Sequence, residues 1–415
     1  MAFEFLAQTL HERDAASLRR VRQPVVSNKD GIIEIQGKHY LNFASNDYLG
    51  LSQHEQVLQS YVEGLAVYGS GSGASSVVTG YSAEHKALED DICEVLNKPA
   101  AMLFSSGFAA NQAICHALFG HIKPKAISNT ATMPAHIICD KYMHASFIQG
   151  ARETEAKLYR FKHNDMQDVR KLLKLAPRNS LIATEGVFSM DGDLGDIQSL
   201  QAILNSSAVS KADLPWLMVD DAHGFGVIGK NGFGSLDCEQ IDADRVNIVM
   251  ATFGKALGTS GAFIAGSTEL IEYMVNMSKH YVYSTAICPA QARATRASIA
   301  LVAQGKERHE LSENIEYFKT LATRKGIATL PSCSAIQPII IGDPHLALTC
   351  SQQLADLGMW VPAIRTPTVP KNTDRLRISL SAINSKRDIE ALVDGLAIVL
   401  EPMQGGKSLV QEIQM

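Results

Sequence analysis

Short apolar runs that end in polar or glycine-rich loops recur through the middle of the chain, from about residue 70 to about residue 265. "AAMLF" ends before Ser105, Ser106, Gly107 and Phe108, and "AHIIC" before Asp140 and His144. "SLIAT" precedes Glu185 and Ser189, "LPWLMV" precedes Asp220 and His223, and "VNIVMA" runs into Thr252 and Lys255. Brief apolar runs bounded by loops read as strands buried on both faces, and the stretches between them are long enough for helices. The pattern predicts an α/β fold with a mainly parallel sheet. Ligands gather at the carboxyl ends of the strands in such sheets, so five consecutive strand ends carrying polar groups predict one site.

The flanks read differently. Phe3, Leu6, Leu10 and Leu18 are spaced for a short amphipathic helix leading to the basic pair Arg19 and Arg20. "GIIEIQGKHYLNF" alternates like a small hairpin, and from about residue 291 helical stretches mix with strands such as "IQPIII" and "DRLRISLS". Three segments result: an N-terminal helix and hairpin over 1–50, a large domain over 51–290, and a smaller α+β domain over 291–415. The tail "EPMQGGKSLVQEIQM" has two adjacent glycines and is expected to fray.

Composition narrows the classes. With 46% hydrophobic and 20% charged residues the chain is globular rather than disordered. A net charge of −5 leaves no basic footprint for nucleic acid. No apolar run approaches the ~20 residues that cross a bilayer, and the N-terminus lacks a secretory pattern. The seven cysteines are scattered without a CxxC pair, which points to reduced thiols in the cytoplasm rather than disulfides or a metal site.

Two phosphate-binding motifs fail. Before the Gly-Lys pair of "FGKAL", Val249 stands where a P-loop requires glycine, and Ala256 replaces the magnesium-binding Ser/Thr. In "GSGSGASSVVTG", Ser76 takes the third glycine position of a G-x-G-x-x-G fingerprint, with no clear strand before it. What remains is a lysine, an aspartate, two histidines, a serine, a threonine and a Gly-Phe turn, which are the parts that pyridoxal phosphate needs. That cofactor takes a lysine for its Schiff base and an acid to keep the pyridine nitrogen protonated. A flat group over the ring, a donor to the ring hydroxyl, and hydroxyls with a helix N-terminus for the phosphate complete the set. Singly, Lys255 reads as a solvated loop charge, Asp220 as a helix cap, and His144 and His223 as structural histidines. Their joint occurrence, in order and at strand ends, favours the cofactor. The small residues around Lys255 are expected to let it approach the backbone.

The motifs "LNFASNDYLGL", "SSGFAANQA", "TEGVFSMDGD", "VDDAHGFGVIG", "TFGKALGTSGA" and "YSTAICPAQA" resemble those of the α-oxoamine synthases. The resemblance runs from Arg19 to about residue 400. It implies the fold type I, aspartate aminotransferase-like architecture of pyridoxal-phosphate-dependent transferases. It also implies Lys255 as the Schiff-base lysine, Asp220 as partner of the pyridinium nitrogen, and His144 stacked on the ring. His223 and Ser189 match residues around the ring hydroxyl, and Thr252, Gly107 and Phe108 match cofactor and phosphate contacts. Ser284 and Thr285 match a phosphate contact from the second subunit, which implies a homodimer with shared sites. Arg19, Asn46, His144, Thr368 and Arg377 match substrate-binding positions, with Asn46 and Arg377 near the amino-acid carboxylate.

"CSAIQPIIIGD" and "IRTPTVP" are most similar to members that join L-alanine to pimeloyl-CoA, or a pimeloyl carrier protein, with loss of carbon dioxide. The alternative within the family joins glycine to acetyl-CoA. "SGASSVVTGYS" lacks an arginine found in several glycine-using relatives, which argues against that alternative. The segment "AISNTATMPAHIICDKYMHAS" is longer than its usual counterpart, so the loop entering the site is expected to differ.

Overall fold

The computed structural model describes residues 3–120, 136–175, 180–206 and 214–404. Most of the long insertion before His144, and the end of the C-terminal tail, lie outside these residues. The chain divides into two compact units. One gathers Met1–Tyr48, Met190–Asp193 and His309–Met415, and the other Leu49–Ser189 and Leu194–Arg308. The sequence separates 1–50 from 291–415, whereas in the structure both contribute to the first unit.

Backbone pairing explains that assignment. In the first unit β1 (Val25–Lys29), β2 (Ile32–Ile35) and β3 (Lys38–Asn42) form the antiparallel start of a sheet. The second unit holds β4 (Ala100–Phe104), β5 (His136–Asp140), β6 (Lys157–Phe161), β7 (Ser180–Glu185), β8 (Trp216–Asp220), β9 (Ile248–Thr252) and β10 (Ala262–Gly266). Returning to the first unit, β11 (Ile336–Ile340) pairs with β14 (Arg375–Ser379), β13 (Ala363–Ile364) lines the other edge of β14, and β12 (Met359–Trp360) runs parallel to β3. The β3–β12 ladder therefore joins the N-terminal hairpin to the C-terminal chain.

The seven strands of the second unit are ordered β4-β10-β9-β8-β7-β5-β6. Only β10 runs against its neighbours, so the sheet is mixed but mainly parallel. "KLYRF" and "AFIAG", which form β6 and β10, did not stand out as strands. β10 is fully buried, and it follows a glycine-rich loop that masks its start.

Strand alternation sets the core of this unit. Met102, Phe104, Ile137, Cys139, Leu181, Ala183, Met218, Met250, Ala262 and Ile264 belong to one buried cluster with Ala113, Ile114, Phe147 and Leu270 from flanking helices. They recur at every second position of their strands, as residues on one face of a pleated sheet must. Extending that alternation past the apolar positions brings Glu185, Asp220 and Thr252 to the same face at the carboxyl ends of β7, β8 and β9.

The N-terminal helix departs from its expected character. It spans Phe5–Ala15 and buries none of its residues, and Phe3, Phe5, Leu6 and Leu10 are exposed. Spacing can create an apolar stripe, but only a neighbouring surface can bury it. No helix of the described residues is long and apolar enough to cross a membrane.

Candidate active site

A cavity of about 180 Å³ opens at the carboxyl ends of β7–β9. Gly107, Phe108, His144, Asp220, His223, Thr252 and Lys255, all marked by the sequence, line it together with Asn111, Ser146, Glu185, Ala222 and Met250.

Each wall has a local cause. Ser106 caps the helix Gly107–Phe119 by accepting from the Ala109 N–H at 3.2 Å, which leaves the first N–H groups of that helix at the cavity, where an anion is favoured. Asn111 follows Gly107 by four residues, so it returns to the same helix face. His144 caps the helix Ala145–Arg152, with Nδ1 accepting from the Ser146 N–H at 3.3 Å. An imidazole that accepts at Nδ1 while neutral carries its proton on Nε2. Burial holds the His144 pKa below the usual histidine range; Asp220 opposes that shift and Lys255 adds to it.

One hydrogen-bonded chain connects the polar groups. Asn111 Nδ2 donates to Asp220 Oδ2 at 2.8 Å and to Ser146 Oγ at 3.0 Å, and Ser146 Oγ lies 2.7 Å from His144 Nδ1. Asp220 Oδ1 accepts the Ala222 N–H at 3.1 Å. The aspartate and the histidine are thus held by a single amide. Asn111 and Ser146 were missed from sequence, although the four-residue spacing from Gly107 was available to find Asn111.

Lys255 sits in a tight loop after β9. Thr252 Oγ1 donates to the Gly261 carbonyl at 2.8 Å and accepts the Gly254 N–H at 3.3 Å, while the Lys255 carbonyl accepts the Gly258 N–H at 2.9 Å. Gly258 has φ +66°, and a Cβ there would collide with the backbone of Ser52. That glycine shapes the turn rather than making room for a ligand. At Gly254 a Cβ would meet nothing closer than 3.6 Å, so the expected open approach holds at that position.

The donor set fits pyridoxal phosphate. It offers a half-buried lysine, a carboxylate fixed by two donors, a neutral flat imidazole and a helix N-terminus around one cavity. Ser189 does not line the cavity, and its backbone N–H reaches the Glu185 carboxyl. Ser284 is half-buried and Thr285 exposed, and neither lines the cavity of its own chain.

The first unit contains a second polar cluster. Arg377, 7% exposed, donates to Asn46 Oδ1 at 3.3 Å, to Ser379 Oγ at 3.0 Å and to Tyr48 Oη at 3.5 Å. Asn46 and Arg377 are brought together as a pair. Arg19 instead forms an exposed ion pair with Asp14 at 2.6 Å, and Arg20 donates to Thr368 Oγ1 at 3.1 Å. Of the two adjacent arginines, it is the unselected one that reaches Thr368.

Residues 38–396 match the family model described as aminotransferase class I and II. An 8-amino-7-oxononanoate synthase from Hydrogenovibrio crunogenus is 42% identical over 395 residues, covering 94% of this chain and 95% of that protein. The solved structure of an 8-amino-7-oxononanoate synthase from Francisella tularensis aligns with TM-score 0.72 at 30% identity, covering 88% of this chain and 99% of the other. A serine palmitoyltransferase from Sphingomonas wittichii aligns with TM-score 0.84 at 26% identity, over 97% of this chain and 98% of the other.

Proposed function

The chain belongs to the aminotransferase class I and II family, and from that premise we propose that it is a pyridoxal-phosphate-dependent acyltransferase that joins L-alanine to a pimeloyl thioester with loss of carbon dioxide. The product is 8-amino-7-oxononanoate, in biotin biosynthesis, and the fold is that of type I pyridoxal-phosphate-dependent transferases. Support comes from the 8-amino-7-oxononanoate synthase relatives, and the observation that carries the assignment to these residues is the cavity uniting Lys255, Asp220, His144 and His223.

When bound, pyridoxal phosphate supplies an electron sink for charge developing at the alanine Cα. Lys255 Nζ would hold the cofactor and, as the amine at the cavity, would be the base that takes the alanine Cα proton and later returns one. Proton transfer by a positioned side chain contributes about 10²–10⁴ in rate. Asp220 would keep the ring nitrogen protonated, His144 would lie against the ring face, and Ser189 and His223 would serve its hydroxyl. The N-terminus of helix Gly107–Phe119 and Thr252 would take the phosphate side. Arg377, with Asn46, offers a cationic fork for the amino-acid carboxylate, and Arg19 and Thr368 are assigned to substrate. Ser284 and Thr285 of the partner subunit complete the phosphate site in a homodimer. The scattered free cysteines suit the cytoplasm.

The test is a turnover panel. L-alanine with pimeloyl-CoA should release CoA and carbon dioxide in equal amounts and yield the mass of 8-amino-7-oxononanoate. A higher specificity constant for glycine with acetyl-CoA would move the chain to the alternative synthase, and amino-group exchange with a keto acid without a thioester would make it an aminotransferase. Site sharing is tested by refolding Lys255→Ala together with Ser284→Ala/Thr285→Ala. Heterodimers should regain activity above either parent, and none regained despite proven heterodimers would refute sharing.

A further inference from the structure

The last residue of β7 lines the cavity, yet the chemistry above gives it no part. Glu185 is 3% exposed and stands directly across from Asp220 in the parallel ladder between β7 and β8. Residues in register on neighbouring strands project from the same face, so two carboxyl groups share one end of that face. In a dry site two such groups do not ionise together readily.

Their surroundings divide the roles. Asp220 accepts from the Asn111 amide and the Ala222 N–H. Glu185 accepts the backbone N–H groups of His144 and Ser189, while its Oε1 is buried without a hydrogen-bond partner among the described residues. Burial first, and the charge of Asp220 second, push the Glu185 pKa well above the usual carboxylate range; Lys255 and the two N–H groups pull the other way. His144 adds no opposing charge, because burial holds its own pKa down.

We propose that Glu185 is a positioning residue that remains an uncharged carboxylic acid, holding the backbone of His144 and Ser189 while leaving Asp220 as the sole anion among the cavity-lining residues. A second anion beside Lys255 would raise the proton affinity of its nitrogen and compete with Asp220 for the cofactor's positive charge. A neutral acid supplies the two hydrogen bonds without either effect. His144 and Ser189 are the residues assigned to the ring face and the ring hydroxyl, and one buried carboxyl holds the backbone of both. The infrared test below is independent of the cofactor assignment, and only the absorbance and kinetic tests rest on it.

Infrared spectra of the full chain at pH about 9 give the first readout, because Asp221, pushed up to about 6, and Glu89, pushed up to about 7, are ionised there. A protonated-carboxyl band that shifts on deuteration should persist in the native protein and be absent from Glu185→Gln. Loss of the native band by pH about 9 overturns the proposal even if the variant does not fold, and so does a band that Glu185→Gln leaves intact. The second readout is the pH titration of cofactor absorbance. Glu185→Gln should move its midpoint by less than about 0.3 pH units, whereas a shift of about one unit or more would mean that a charge had been removed. Glu185→Gln should also retain at least about tenfold more kcat than Glu185→Ala, which leaves two buried N–H groups unpartnered. Equal loss in both variants overturns the positioning role.

Discussion

Around Asp220 the polar groups come from consecutive strand ends, with Glu185, Asp220 and Thr252 closing β7, β8 and β9 on one face. Around Arg377 they come from opposite ends of the chain, and the hydrogen bond to Asn46 spans 331 residues. Alternation within each strand dictates the first arrangement. The second depends on the segment Phe43–Tyr48 lying along β14, where the Phe43 carbonyl accepts the Ser379 N–H at 2.8 Å. A site built on strand ends announces itself in local pattern, whereas one built by long-range pairing shows only the residue types. The first cluster should govern the chemical step and the second the capture of the amino acid.

The largest effect expected from that division is at Asp220. Asp220→Ala should lower kcat on the order of 10³-fold, because the charge it stabilises develops only as the Cα proton leaves. Alanine Cα-proton exchange in deuterated water reports that step, and an unchanged exchange rate would break the division. At the second cluster, Arg377→Lys should raise the KM for alanine by about 10–100-fold with a smaller change in kcat, since a point charge replaces a planar fork. A kcat loss at unchanged KM would place Arg377 with the chemistry instead.

Two glycines beside Lys255 separate scaffold from site. Gly258→Ala should destabilise the protein by about 1–3 kcal/mol or more, through left-handed strain and the collision with Ser52. Gly254→Ala should leave the melting temperature nearly unchanged and weaken cofactor binding. Equal melting temperatures for the two variants would contradict the structural role of Gly258.

The smallest effect concerns Asp221, which is fully buried beside Asp220 and bonded to the Ser235 N–H at 2.6 Å and the Ser235 hydroxyl at 2.8 Å. Burial raises its pKa from 3.8 to about 6. A raised pKa adds stability below the unfolded value, and that stability is lost as pH climbs through about 6. The stability of Asp221→Asn relative to the native protein should therefore increase between pH about 4 and about 6, then level off. A difference that stays flat across this window would mean that Asp221 is ionised throughout.

The legible and illegible parts follow the same physical line. Lys255, Asp220, His144 and Thr252 could be placed because each follows an apolar run whose length marks a buried strand. β10 could not, because the glycine-rich loop before it masks where its apolar run begins, and its antiparallel pairing with β4 and β9 lies outside its own residues. The apolar spacing of the N-terminal helix was visible, but that the described residues leave it exposed was not. That Arg20 rather than Arg19 reaches Thr368 depends on the course of the chain after the helix, where Ser17 takes φ +54°. Glu185 was plain as a residue at a strand end. Its protonation state depends on Asp220 in the adjacent strand, and no single run of sequence contains both.

Whether the strand-end cavity holds the cofactor on Lys255 is read by borohydride reduction of the cofactor-saturated protein followed by peptide mass mapping. A phosphopyridoxyl group should appear on the peptide containing Lys255, with no such group anywhere in Lys255→Ala. A label on a different lysine, or none in protein shown to have bound the cofactor, would contradict it.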